Sequence, residues 1–165
     1  MSLVQLKVDT SLAALYLVAS ARGLVGVYFQ EQQLEPAVGH ELEMAQATLG
    51  RAARQMSEYL AFERQDFELA LDLRGSAFQR RVWAQLTRIP YGQTRSYLGI
   101  ARELGDAGAS RAVGSANGKN PLCIVVPCHR VISSDGTLGG YSGGLHIKRQ
   151  LLEHEQHGRT LSGRA

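Results

Sequence analysis

The sequence predicts an α/β fold of the α+β kind: a small, mainly antiparallel β-sheet domain with helices, then a mostly helical domain containing a helix-turn-helix. Three observations predict it. Short apolar segments with strand character crowd the first 30 residues. A single long helical periodicity follows. Beyond Leu73-Arg74-Gly75-Ser76 the pattern changes to short helices punctuated by Gly and Pro. The predicted boundaries are 1–74 for the first domain, 75–158 for the second and 159–165 for a flexible tail.

In the first domain, Leu3 to Val8 and Ala13 to Ala19 have alternating or near-continuous apolar character, and Leu24 to Phe29 returns after Arg22-Gly23 as a hairpin partner. From Glu41 to Phe62, Leu42, Ala45, Leu49, Ala52, Ala53, Met56, Tyr59 and Leu60 recur at helical spacing, and Phe67 to Leu73 alternates as a further strand. His40 and His157 stand alone, with no second ligand at metal-binding spacing, so both read as surface residues.

In the second domain Ser76 caps a helix to about Thr87, with Phe78, Val82, Trp83 and Leu86 on one face; Ile89-Pro90-Tyr91-Gly92 stops it. Thr94 to Leu104 forms the next helix through Tyr97, Leu98, Ala101 and Leu104, and Gly105 ends it. After Asp106-Ala107-Gly108 a third helix runs from about Ala109 to Asn117. Two helices joined by a short Gly-bearing turn make a helix-turn-helix.

The 165 residues suffice for one domain or two small ones, and 44% hydrophobic content supports a packed core. The chain reads as globular, with a cytoplasmic address as the default: no segment has signal-peptide character, and no apolar run approaches the roughly 20 residues that span a bilayer. Charge is divided unevenly. Residues 1–74 carry six Lys/Arg against ten Asp/Glu, a balance of −4, whereas residues 75–150 carry ten against three, a balance of +7. The polyanion-facing surface therefore belongs to the second half. The third helix is thin there, with Ala109, Ala112, Gly114, Ser115 and Ala116, and Arg111 projects near its start. Small residues serve close approach to a groove or tight packing in a core. Thr94, Arg95, Ser96, Arg111 and Lys119 supply candidate phosphate contacts.

The chemistry concentrates in Pro127-Cys128-His129-Arg130-Val131, entered from the apolar run Leu122-Cys123-Ile124-Val125-Val126, which reads as a buried strand. A thiol beside an imidazole and a guanidinium has the surroundings that lower its pKa and make a nucleophile. The motif alone also permits a small apolar residue closing a strand. Cys123 and Cys128, the two cysteines of the chain, make a poor disulfide framework and an incomplete zinc site, and odd spacing along a strand sends their side chains to opposite faces.

Taken with Arg111-Ala112-Val113-Gly114, Asn120-Pro121, Tyr141-Ser142-Gly143-Gly144-Leu145 and Leu151-Leu152-Glu153-His154-Glu155, this motif resembles the O6-alkylguanine-DNA alkyltransferase family over residues 75–156. The first half has the length and strand pattern of that family's variable first domain. The resemblance implies direct-reversal repair without a cofactor: an O6-alkylated guanine, with O4-alkylthymine left open, is flipped out of double-stranded DNA and its alkyl group moves irreversibly to cysteine. By position it implies Cys128 as acceptor, His129 as its base through a water, Glu155 orienting the imidazole, and Asn120 bonding near the cysteine turn. Tyr97 would donate to the leaving base, and Tyr141, Ser142, Gly143, Val131 and Cys123 would line the base pocket. Arg111 would enter the stack, with Ala112, Gly114, Ser115 and Asn117 on the recognition helix and Thr94, Arg95, Ser96 and Lys119 on the backbone. Arg130 would aid the thiol or ion-pair inside the fold.

The family comparison also marks departures. Cys123 stands where some members carry proline, and Asn117 where some carry a larger apolar residue. Some members bind a structural zinc through first-domain cysteines; this chain has none there, so no metal is expected. A monomer free in solution is expected, with cooperativity on DNA left open, and no membrane. Two other classes compete: a non-enzymatic alkyl-lesion-binding protein, against which Cys128 with His129 and Glu155 argues, and a helix-turn-helix regulator whose cysteine senses oxidation.

Overall fold

The computed structural model describes residues 2–162 and divides into two compact units, Met1–Arg74 and Gly75–Ala165. In the first unit β1 (Val4–Asp9), β2 (Ala14–Ser20) and β3 (Gly23–Tyr28) form an antiparallel sheet in the order β1-β2-β3. The register pairs Leu6 with Leu17 and Tyr16 with Tyr28. The Thr10 hydroxyl closes the first hairpin by donating to Ala13 O and accepting from the N–H groups of Leu12 and Ala13. Helix α1 (Gly39–Leu60) covers the sheet. Its buried Ala45, Leu49, Ala52, Met56 and Tyr59, at the predicted spacing, meet Leu15, Leu17, Leu24 and Val27 in the core.

The predicted strand Phe67 to Leu73 is reduced to one bridge, Leu71 beside Leu24. The Gln55 side-chain amide explains the loss: it donates to Glu68 O at 3.0 Å and accepts from Glu68 N at 2.9 Å, so this backbone is satisfied by a helix side chain instead of a strand.

In the second unit α2 (Ala77–Leu86) begins at a reciprocal capping box between Ser76 and Gln79. Its Trp83 Nε1 donates to Ala116 O at 2.9 Å, fastening α2 to α4 (Ser110–Gly118). The helix predicted from Thr94 starts later. Arg95–Ser96 form β4, paired in parallel with β5 (Val131–Ile132), and the Ser96 hydroxyl caps α3 (Tyr97–Glu103) by accepting from Gly99 N. A 3-10 turn, Ala107–Ala109, leads into α4, so α3 and α4 are the predicted helix-turn-helix.

Two further expectations fail here. Leu122 to Val126 is a pair of tight turns, not a strand. The bond from Val125 N to Cys123 O (2.9 Å) closes around Ile124 at φ 74°, and that from Cys128 N to Val126 O (2.7 Å) closes around Pro127 at φ −79°, ψ 65°. These are γ-turns of opposite hand, the first of the strained kind. The tail expected from 159 is also misplaced, because Arg159 to Leu161 complete α5 (Leu145–Leu161); residues 163–165 lie outside the described residues. Helix α5 itself escapes a reading by periodicity. Its buried face is Ile147, Lys148, Leu151, Glu155 and Gly158, in which two charges interrupt the apolar stripe.

Candidate active site

The second γ-turn delivers Cys128, His129 and Arg130 into a 3-10 turn that is wholly buried. Helix α5 brings Glu155 against it. The close approach depends on Gly158, since a Cβ there would collide with the Tyr91 hydroxyl. Glu155 Oε2 lies 2.8 Å from His129 Nε2, and Arg130 donates to both Glu155 oxygens at 2.8 Å from Nε and Nη2. Gly92 N adds a fourth bond to Oε1 at 3.2 Å. The remaining Arg130 donor Nη1 reaches Ile89 O at 2.7 Å, and the guanidinium carbon lies 5.7 Å from the Tyr91 ring centroid.

These contacts fix the protonation states. Burial alone would raise the Glu155 carboxyl, but the hydrogen bonds and charges of His129 and Arg130 outweigh it and hold it well below the ordinary carboxylate range. Burial pushes the His129 imidazole down, and the Glu155 interactions only partly restore it. With a permanently charged Arg130 already pairing the carboxylate, the ring is neutral. Glu155 can only accept, so Nε2 carries the proton and Nδ1 the lone pair. Nδ1 is buried and has no hydrogen-bond partner among the described residues.

Cys128 is 3% exposed, and the hydrogen bond with Cys123 followed by burial pushes its thiol well above the usual range. The expected lowering of the thiol's pKa is therefore corrected, and of the two roles open to Arg130 the structure shows the ion pair inside the fold. Arg130 is committed to Glu155, and the resting Cys128 is a thiol that needs a base. Asn120, as expected, secures the turn: Nδ2 donates to Val126 O at 2.8 Å, Oδ1 accepts from Leu122 N at 3.0 Å, and the side chain reaches the Cys128 thiol.

The cysteines do not point apart. With the chain turned back on itself, Cys123 and Cys128 are hydrogen-bond partners, and Cys123 Sγ lies 3.2 Å from Ser142 Oγ. Tyr141 also reaches the Cys123 thiol. Tyr97 leans from the start of α3 towards the same place. Burial raises its pKa, so the phenol keeps its proton. Its hydroxyl borders Gly139, where an added Cβ would lie 2.6 Å away, and bonds to the Gly140 backbone. Val131 is buried beside these groups in β5, and Gly143 is half-buried in the loop leading to α5.

A buried lysine completes the arrangement. Lys148 Nζ donates to Val131 O at 2.6 Å and Gly140 O at 3.2 Å, stapling β5 to the loop that carries Tyr141 and Ser142. Burial lowers its pKa to about 8. Sequence reasoning missed Lys148, together with the Gly92 N–H and Ile89 carbonyl. A lysine between Ile147 and Leu151, inside the apolar stripe of a helix, was the available signal.

Of the expected nucleic-acid contacts, Arg111, Ala112, Ser115 and Lys119 are exposed along α4, Thr94 is exposed before it, and Gly114 is half-buried against the Tyr97 ring. The Ser96 hydroxyl is occupied as a helix cap, and Arg95 donates to Thr94 O. Asn117 is corrected: it is 4% exposed, and its Nδ2 lies 3.4 Å from Cys128 O, so it braces the cysteine turn.

A helix-turn-helix in the same unit as a buried cysteine followed by a glutamate-bound histidine defines a DNA-directed protein with cysteine-centred chemistry. Comparison with known proteins agrees. Residues 77–157 match the family model for the 6-O-methylguanine DNA methyltransferase DNA-binding domain, and residues 4–73 match the model for its ribonuclease-like domain. The methylated-DNA–protein-cysteine methyltransferase of Mycobacterium tuberculosis is 47% identical over 90% of each chain. The constitutive one of Bacillus subtilis is 50% identical over 66% of each. The crystal structure of Mycobacterium tuberculosis O6-methylguanine methyltransferase superposes with a TM-score of 0.81 at 42% identity, covering 94% of this chain and 93% of that one. A structure of Mycobacterium tuberculosis OGT in complex with DNA gives 0.80 at 42% identity over 92% of each chain. The chain belongs to the O6-alkylguanine-DNA alkyltransferase family.

Proposed function

We propose that this chain repairs double-stranded DNA by direct reversal, with Cys128 accepting the alkyl group of a flipped O6-alkylguanine. The activity is that of a methylated-DNA–protein-cysteine methyltransferase. The observation that carries the residue assignment is the His129 ring, which follows the protonated Cys128 thiol in the same buried turn, with Nε2 tied to a buried carboxylate and Nδ1 without a hydrogen-bond partner among the described residues. In the reaction the Cys128 proton passes through a water to Nδ1, and Glu155 stabilises the imidazolium that forms. The sulfur then attacks the alkyl carbon, a C–S bond forms, and the C–O bond breaks with its electron pair leaving on guanine. Tyr97, which retains its phenolic proton, donates towards the departing base and limits its negative charge.

The base must leave the stack because its O6 substituent is unreachable within the duplex. Arg111 on exposed α4 fills the gap, while the small Ala112 and Ser115 let the helix approach the minor groove and Lys119 and Thr94 meet phosphates. Ser142 and Tyr141, held through Cys123 and the Lys148 staple, shape the base pocket. A thioether does not release its alkyl group, so each molecule acts once.

Incubation with a duplex containing one O6-methylguanine, followed by intact mass and peptide mapping, tests the assignment. The expected result is a gain of about 14 Da on Cys128, with none in Cys128→Ala. Tight lesion binding with no mass gain would overturn it and leave a damage-recognition protein.

A further inference from the structure

Cys123 forms and breaks no bond in the transfer above, yet it occupies a particular position. It is 3% exposed, bonded to the acceptor thiol on one side and 3.2 Å from the Ser142 hydroxyl on the other. Two γ-turns within residues 123–128 hold it there, one of them imposing a left-handed φ of 74° on the β-branched Ile124. A β-branched residue tolerates that conformation only when the surrounding fold enforces it. Such a turn aligns two thiols at the reacting centre.

We infer that Cys123 is a resolving thiol for the acceptor, so that a hydroperoxide converts the Cys123–Cys128 pair into a reversible disulfide. The hydrogen bond from Cys128 lowers the Cys123 thiol to about 7, which makes it the partner that ionises at neutral pH. The Cys128 sulfur attacks the O–O bond; the S–O bond forms, the O–O bond breaks and water or an alcohol departs with the thiol proton. The ionised Cys123 sulfur then displaces the sulfenic oxygen of Cys128 as water. Two thiols are oxidised by two electrons and one peroxide bond is reduced. A dithiol restores both by exchange. While the disulfide stands, Cys128 has no lone thiol to alkylate, and it is guarded from the sulfinic and sulfonic states that cannot be reversed.

The test uses the full chain, hydrogen peroxide as oxidant and a maleimide quench. Trypsin places both cysteines in one peptide, residues 120–130. The expected product is that peptide lighter by about 2 Da and closed to maleimide, returning to two maleimides after dithiothreitol. Methyl acceptance should vanish and return in parallel. Under the same treatment Cys123→Ala should gain about 32 Da on Cys128, unaffected by dithiothreitol. Oxygen added to wild-type Cys128 while Cys123 still takes maleimide, or no oxidation of either thiol, would overturn the inference. The mass readout is independent of alkyl transfer, so its failure is distinguishable from failure of the repair reading.

Discussion

Replacing Glu155 with glutamine removes one negative charge from a site where the side chain is 1% exposed and accepts four hydrogen bonds, from His129, Gly92 and twice from Arg130. Glutamine keeps one acceptor oxygen and turns an amide N–H towards donors. Arg130, 7% exposed, would retain only the Ile89 carbonyl and the Tyr91 ring. Stranding one member of a buried ion pair costs about 3–5 kcal/mol. With a urea m-value of about 1–3 kcal/mol/M, the unfolding midpoint of the second unit should fall by roughly 1–5 M. Fluorescence of Trp83, the single tryptophan and buried between α2 and α4, reports that unit. Glu155 is a positioning residue for His129, so single-turnover methyl transfer by the still-folded variant should slow by about 10²–10⁴. Glu155→Gln/Arg130→Met, which also removes the stranded charge, should recover much of the stability and none of the rate. A midpoint within about 0.5 M of wild type for Glu155→Gln, at an unchanged rate, would refute the relay.

Acid should affect rate and fold in the same direction. The transfer rate should hold below the ordinary histidine value of 6.5 and then fall as Nδ1 takes a proton, and His129→Gln should flatten that limb in stopped-flow rates. For stability, the unfolded chain takes up protons at His129 below 6.5 that the folded one refuses, and at Glu155 below 4.5 likewise; stability is therefore lost as pH falls through both. Lys148→Met should leave the Val131 and Gly140 carbonyls without their donor, costing about 1–3 kcal/mol each at most in urea titrations and slowing transfer as the loop loosens. In the wild type the folded Lys148 pKa of about 8 lies below its ordinary 10.5, so this group's contribution to stability should rise between those values as the buried charge is relieved, visible as a shallower pH slope in the methionine variant. Methylating Cys128 overpacks a fully buried turn, and the alkylated protein should be less stable by about 1–3 kcal/mol in thermal melts; an unchanged melting temperature would contradict this.

Much of the fold was legible in local pattern. Helix α1 and the hairpins announced themselves because each buries one face at its own period, and Ser76 and Gln79 mark a helix start that depends on nothing distant. The strand predicted over Phe67 to Leu73 failed because a single Gln55 amide competes for the Glu68 backbone, a contact between residues 13 apart. The turns after Pro121 failed for a similar reason. Leu122 to Val126 has strand composition, but Asn120 captures Leu122 N and Val126 O and draws the ends together. Asn117 looked like a groove contact on a thin helix, yet helical phase turns it inward to the cysteine backbone.

The sequence by itself determined the chemical class. Cys128, His129, Glu155, Asn120 and Tyr97 are rare enough in combination to identify the family, because reactive groups must be present as residue types before any fold can use them. Only the tertiary structure decided how they work. It turned Arg130 away from the thiol and onto Glu155, made His129 neutral and left its basic nitrogen without a hydrogen bond among the described residues, buried Lys148 under the loop, and set Cys123 against Cys128. Protonation and pairing depend on burial and on partners brought from α5 and the Ile89 to Gly92 turn, dozens of residues from the motif, and those distances exist only once the chain has folded.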